Sequence, residues 1–259
     1  MRRIVLTPTA GRAVRLQRTA LALLLAVACR GGAPPTGSLE PQSQYAEALR
    51  AFRAGHFRKS QELLNRMLFD LPARDTLMPK VRFHLGESFF GMSDYIQAAR
   101  EFRRVADDFP QDALAPFGLL RSADSYAGLW RRSELDPTHG ETAVAGYQEL
   151  AGRYPDSEAA RLATIRMHAI QEQFAHKDYQ NGLFYFRRGA YDSAILYFRS
   201  LIATYPSSPL VPEAFVRLVQ AYRAIGYAEE REETCTHLRE HYGSRQDVRE
   251  VCGSGRPGR

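Results

Sequence analysis

His237 and His241 stand four residues apart, with Cys235 just before them and Cys252 further on. Imidazole and thiolate are the ligands that hold zinc, so this cluster is the first place to look for chemistry. It falls short on two counts: the chain has no CxxC pair, and Cys235 falls on a core position of the repeating pattern described below. No metal is expected. Cys235 and Cys252 could instead form a disulfide in an oxidising compartment, or Cys235 could remain a free thiol that packs as a small hydrophobe. Glu229, Glu230, Glu232 and Glu233 read as a solvated helix face rather than an acid/base pair. No Gly-rich phosphate loop follows a strand, because no segment reads convincingly as a strand. These residues point to no catalytic site and no cofactor, which leaves binding as the work of the chain.

The elements that would position binding residues come from internal repetition. Tyr191, Ala194, Ile195, Phe198, Leu201, Ile202, Tyr205 and Pro206 follow the spacing of one helix face, ended by proline. The same template fits Tyr95, Ala98, Ala99, Phe102, Val105, Ala106, Phe109 and Pro110 without a gap. It fits again from Gly140 (Ala143, Val144, Tyr147, Leu150, Ala151, Tyr154, Pro155) and from Phe57 (Ser60, Gln61, Leu64, Met67, Leu68, Leu71, Pro72). A fifth copy, Ala228, Arg231, Glu232, Cys235, Leu238, Arg239 and Tyr242, is eroded and charged, as an end cap must be. Three of these helices are preceded by another with a small residue three places before an aromatic: Gly86 and Phe89, Ala123 and Tyr126, Gly182 and Tyr185; in the first unit Ala48 fits the small position but Ala51 stands where the aromatic would be, next to Phe52.

A period near 34 residues of paired helices resembles the tetratricopeptide repeat, over about Ser43 to Tyr242. The expectation is an all-α chain, an α-solenoid of about five such pairs. The separation from Tyr126 to Ala143 is eight residues longer than that from Phe89 to Ala98, which places an enlarged turn at Arg131–Pro137. Between Pro155 and Gly189 there is room for a spacer helix, from Glu158 to about Phe174, between the third and fourth units. In this fold the first helix of each pair lines the concave side. The inward positions are then Gln42, Tyr45, Leu49 and Phe52, Lys80, Phe83, Glu87 and Phe90, and Phe117, Leu120 and Asp124. An apolar strip of this kind suits an extended or helical peptide with aromatic side chains.

The net charge of +6 is misleading, because Arg2, Arg3, Arg12, Arg15 and Arg18 precede residue 29 with no acid among them. The remainder is close to neutral, and nucleic acid is not an expected partner. Residues 1–28 have the layout of a signal peptide, with an apolar run from Leu21 to Ala28 too short to span a bilayer. Leu25-Ala26-Val27-Ala28-Cys29 resembles a lipobox; an ordinary signal peptide with an incidental cysteine is the other reading. Residues 29–42 form a Gly- and Pro-rich tether. Repeats are expected over 43–155, the spacer and further repeats over 156–243, and a disordered tail over 244–259.

This order of parts, with Arg153-Tyr154-Pro155-Asp156-Ser157 and Tyr185-Phe186-Arg187-Arg188-Gly189-Ala190-Tyr191, resembles the BamD family of outer-membrane assembly lipoproteins. The resemblance implies lipidation at Cys29, with palmitate, and a place on the periplasmic face of the outer membrane. It implies that the N-terminal repeats meet unfolded outer-membrane proteins. The C-terminal repeats, through Arg187, Arg188 and Tyr197, would dock a BamA-like barrel insertase alongside other assembly lipoproteins. The family's Asn-Arg pair reads Leu196-Tyr197 here. Leu85-Gly86-Glu87-Ser88-Phe89 also resembles a periplasmic tetratricopeptide coordinator of division complexes, although no heptad run precedes Tyr45.

Overall fold

The computed structural model describes residues 40–132 and 135–253. The signal peptide, Cys29, most of the tether, Ser133 and Glu134 of the enlarged turn, and the last six residues of the chain lie outside them. The described residues form helices α1 (Pro41–Arg53), α2 (Phe57–Asp70), α3 (Met78–Gly91), α4 (Tyr95–Asp108), α5 (Ala115–Leu129) and α6 (Thr138–Arg153). They continue as α7 (Glu158–Arg187), α8 (Tyr191–Thr204), α9 (Val211–Ile225), α10 (Ala228–Tyr242) and α11 (Gln246–Cys252). From α2 onward each helix packs on the next, as a solenoid requires.

Three template positions carry the core. Ser60, Ala98, Ala143 and Ala194 hold the second place and are fully buried, as are Leu64, Phe102, Tyr147 and Phe198 at the fourth and Met67, Val105, Leu150 and Leu201 at the fifth. In the second and fourth pairs the fourth-place aromatic sits on a glycine of the partner helix. A Cβ on Gly86 would come within 2.8 Å of the Phe102 ring, and one on Gly182 within 2.5 Å of Phe198. The first place normally holds an aromatic too, but the third unit has Gly140. Trp130, the residue just before the enlarged turn, fills that gap: a Cβ on Gly140 would lie 2.4 Å from its indole.

Linkers between pairs recur as well. After the terminal proline, the side chains of Asp75, Asp112 and Ser208 accept hydrogen bonds from the amides two residues on, at 2.8, 2.8 and 3.2 Å. The following helices, α3, α5 and α9, each carry a proline in the first turn, where its missing N–H costs nothing. Within pairs, the turn needs a left-handed residue. Gly55, Gly189 and Gly226 supply it, whereas Ser93 takes φ +62° in the second pair.

Two expectations change. The spacer is not a separate helix: α7 runs 30 residues without a break, because neither glycine nor proline interrupts it before Gly182. At 1.5 Å per residue it is about 45 Å long. Its first half, through Ala159, Ala163 and Ile170, joins the core of the third pair. Its second half, through Ala175, Tyr179 and Leu183, belongs to the fourth. Phe174 marks the junction, 4.4 Å from Trp130 and stacked 6.4 Å from Tyr205.

The tail is not disordered through residues 246–252, which form α11. Val248 is fully buried there against Val216, Val219 and Leu238. The Cys235–Cys252 disulfide closes the segment onto α10, with Cα atoms 5.4 Å apart. The pairing left open by the sequence is therefore formed.

The glycine seats make opposite predictions at two sites. Gly182→Ala should destabilise the chain by about 1–3 kcal/mol, since the buried Phe198 ring cannot retreat. Gly152 on α6 has open space around its would-be Cβ. Gly152→Ala should therefore stabilise by about 0.5–1 kcal/mol. Thermal unfolding of both variants checks the pair, and a shift of the same sign in both would contradict the packing described.

Candidate functional site

The first-helix face of the N-terminal pairs collects the expected aromatics around a residue that the spacing did not single out. The rings of Tyr45, Phe52 and Phe83 lie 5.6, 6.1 and 5.8 Å from the imidazole of His84. The Tyr45 hydroxyl is 2.9 Å from His84 Nδ1. Burial pushes the Tyr45 pKa up to about 12, against an opposing effect of Arg53. Burial is also the main reason the His84 pKa is lowered. Phe83 also packs on Phe102, with ring centroids 5.3 Å apart. Leu49, Glu87, Phe90 and Phe117 are half-buried, while Gln42 and Lys80 are exposed.

Leu120 and Asp124 do not line the open face. Leu120 is buried in the core of the third pair, and Asp124 is 8% exposed. The cause is α7, whose first half packs on α5 as well as on α6 and covers ground that would otherwise be open. Asp124 instead anchors a charge network. It accepts hydrogen bonds from the Tyr147 hydroxyl at 2.8 Å, from Arg121 at 3.2 Å and from Arg166 on α7. Arg121 also grips Glu87 with two bonds, of 2.6 and 2.8 Å, and its guanidinium lies 4.0 Å over the Phe90 ring. Burial lowers the Arg121 pKa, but the hydrogen bonds and charges of Glu87 and Asp124 outweigh it and leave the pKa above the ordinary arginine value. Burial, then the Asp124 carboxylate, raises that of Tyr147. The strip is thus aromatic over α1 and α3 and becomes a charge network as it reaches α5 and α7.

The C-terminal candidates do converge. Arg187, Arg188 and Tyr197 line one depression of about 520 Å³, together with Gln180, Asn181, Phe184 and Tyr185. Tyr185 and Tyr197 stack at 5.5 Å, and the Arg188 guanidinium lies 3.8 Å over the Phe184 ring. Phe184 is 47% exposed, and Leu196, the residue before Tyr197 in the chain, is 70% exposed. Phe184, 5.3 Å from Tyr185, therefore leaves apolar area in water beside the stacked tyrosines. The pattern of α8 held the clue to Leu196, which falls between buried places and so must face outward.

The zinc reading loses its thiolate, because Cys235 is spent in the disulfide. His237 and His241 stack on each other at 4.3 Å instead. Among the described residues no group of three or more His, Cys, Asp and Glu side chains could hold a metal ion.

A family model described as "Outer membrane lipoprotein", YfiO, matches residues 38–238, which includes both surfaces. The chain belongs to the YfiO family. Its relatives include the outer membrane protein assembly factor BamD of Caulobacter vibrioides, 28% identical over 145 residues, covering 56% of this chain and 48% of the relative. The BamD of Vibrio cholerae is 32% identical over 103 residues, covering 40% of this chain and 43% of the relative. The chain thus spans about half the length of the curated relatives it matches. Among solved structures, the TPR2AB domain of yeast Sti1 in its pHSP90 complex overlaps with a TM-score of 0.43 at 12% identity, covering 82% of this chain and 81% of that one. The BamD-family resemblance read from the lipobox, the repeats and the Arg-Arg-Gly-Ala-Tyr element is the one these relatives bear out.

Two predictions follow from the network and the histidine of this YfiO-family chain. Asp124→Ala removes the acceptor shared by Arg121, Arg166 and Tyr147, and should cost about 3–5 kcal/mol in urea unfolding, as expected when one partner of a buried pair is lost. A loss under 1 kcal/mol would show the network to be incidental. His84 is a histidine with a depressed folded pKa, so its contribution is complete above the unfolded value and is lost as pH falls through it. The chain should lose stability as pH drops below about 6.5. His84→Gln should flatten that part of the pH profile, and an unchanged profile would contradict the assignment.

Proposed function

We propose that this chain is a lipid-anchored scaffold of outer-membrane β-barrel assembly. It works by holding partners, not by catalysis. The observation that carries this reading is the extent of the family match. Residues 38–238 include the aromatic strip of α1 and α3 and the exposed aromatic–arginine surface of α7 and α8 in one stretch. The relatives named as assembly factors match the chain at 28% and 32% identity, which supports the same role here.

In this reading Cys29 carries the lipid, palmitate included, and residues 29–42 tether the repeats to the periplasmic face of the outer membrane. The strip around Tyr45, Leu49, Phe52, Phe83, Glu87, Phe90 and Phe117 receives unfolded outer-membrane proteins, whose aromatic side chains it suits. Half-buried rings held by neighbours lose little conformational freedom on binding, which favours such contacts. The surface of Arg187, Arg188 and Tyr197 docks a BamA-like barrel insertase, near which other assembly lipoproteins bind. Arg188 is committed to Phe184 and Leu196 is apolar, so this contact is built mainly on apolar and aromatic area.

Phe83 packs on the core ring of Phe102, whereas Phe90 meets Arg121 and Tyr95 outside the buried core, so Phe90 makes the cleaner test of the two. Phe90→Ala should weaken binding of a barrel peptide ending in an aromatic residue by about tenfold, with the helical circular dichroism unchanged. Unchanged affinity would reject the strip as the peptide site. Tagged chain isolated from membranes should recover a barrel insertase, and Tyr197→Ala with Arg188→Glu should abolish that recovery. Recovery of division proteins without an insertase would sink the assembly role.

A further inference from the structure

The C-terminal end of the stack carries a feature that the scaffold role does not use. Helix α11 has seven residues, too few to persist on their own in water, and it buries one side chain fully, Val248. The disulfide ties it to α10 across a sequence separation of 17; Arg239, whose guanidinium donates to the Cys252 carbonyl at 3.3 Å, and Arg249, which donates to the Gly243 and Ser244 carbonyls at 3.3 and 2.9 Å, add the hydrogen bonds. The two sulfurs differ in access. Cys235 is 2% exposed within a cluster of Val216, Val219, Leu238 and Val248, whereas Cys252 is half-buried and next to the exposed Gly253.

We propose that the Cys235–Cys252 disulfide is a redox latch on α11, opened by a dithiol that attacks at Cys252. The chemistry balances as thiol–disulfide exchange. A thiolate of the dithiol bonds to Cys252 Sγ, the bond between the two cysteines breaks, and the electron pair leaves on Cys235 Sγ, which takes up a proton. The second thiol of the reagent then displaces Cys252 Sγ. The dithiol is oxidised to a disulfide, and the chain gains two thiols. With the latch open, α11 leaves, and the apolar end made by Val216, Val219 and Leu238 is uncovered beside α9 and α10. This inference stands on the terminal cluster alone and does not depend on the assembly role.

Hydrogen exchange of the full chain with and without dithiothreitol tests the latch. Closing a loop of about this size stabilises by an amount worth roughly a hundredfold in an equilibrium constant. Exchange at residues 246–252 should rise by about that factor on reduction, while α1 to α8 keep their protection. Glutathione used in place of dithiothreitol should leave its adduct on Cys252. The Cys252→Ser variant should show the loosened α11 without any reductant. Full protection of α11 after both thiols are counted free would overturn the proposal. So would loss of protection through α1 to α8, which would make the bond a staple for the whole stack, or an adduct confined to Cys235.

Discussion

A helix pair of this size cannot bury its apolar face alone, and everything else in the molecule depends on how that face is closed. In the second and fourth pairs the closure is a ring set on a glycine: Phe102 over Gly86, and Phe198 over Gly182. The missing Cβ brings the two helix backbones close, and the ring fills the space that the approach leaves. The seat also fixes rotation. With the second and fourth places turned inward, Tyr45, Phe52 and Phe90 must fall on the first-helix face, and Leu196 must point out to water.

The 30-residue α7 turns this series of local closures into a two-part scaffold. Its first half completes the core that begins with α5 and α6, and its second half begins the core that ends with α9. Trp130, Phe174 and Tyr205 form the aromatic join between them. The same helix sends Arg166 back to Asp124, and so connects through Arg121 to Glu87 on α3. A charge network of this kind gains by satisfying every member, since any one left unpaired and buried is costly. The aromatic strip therefore ends where α7 begins, and the C-terminal surface starts where α7 ends.

Much of this was legible in the sequence because the second helices obey a single spacing. Ser60, Ala98, Ala143 and Ala194 read as one position and are one position. What the spacing could not show was compensation from outside the register. Gly140 breaks the pattern at a place where an aromatic belongs, and the filler is Trp130, ten residues earlier, just before a turn of irregular length. The register of α1 and α3, carried onto α5, puts Leu120 and Asp124 on the open face. Helix α5 meets a third neighbour in α7 and is buried around more of its girth. The repeat length alone ends the spacer near Phe174, although neither glycine nor proline between Glu158 and Gly182 stops the helix. The tail looked disordered because a disulfide and one buried valine, rather than periodicity, hold α11.

Among the candidate residues, Arg187, Arg188 and Tyr197 meet in one depression although they come from two helices. Tyr45, Phe52 and Phe83 meet at His84. The proposed role assigns one partner to each of these places and keeps them apart by the length of α7. Hydrogen-exchange footprinting of the chain with each partner in turn tests that assignment most directly. An aromatic-ended barrel peptide should protect amides in α1, α3 and α5 and leave 180–200 unchanged, and the insertase should do the reverse. Protection of 180–200 by the peptide, or of α1 and α3 by the insertase, would contradict the division of labour between the two halves.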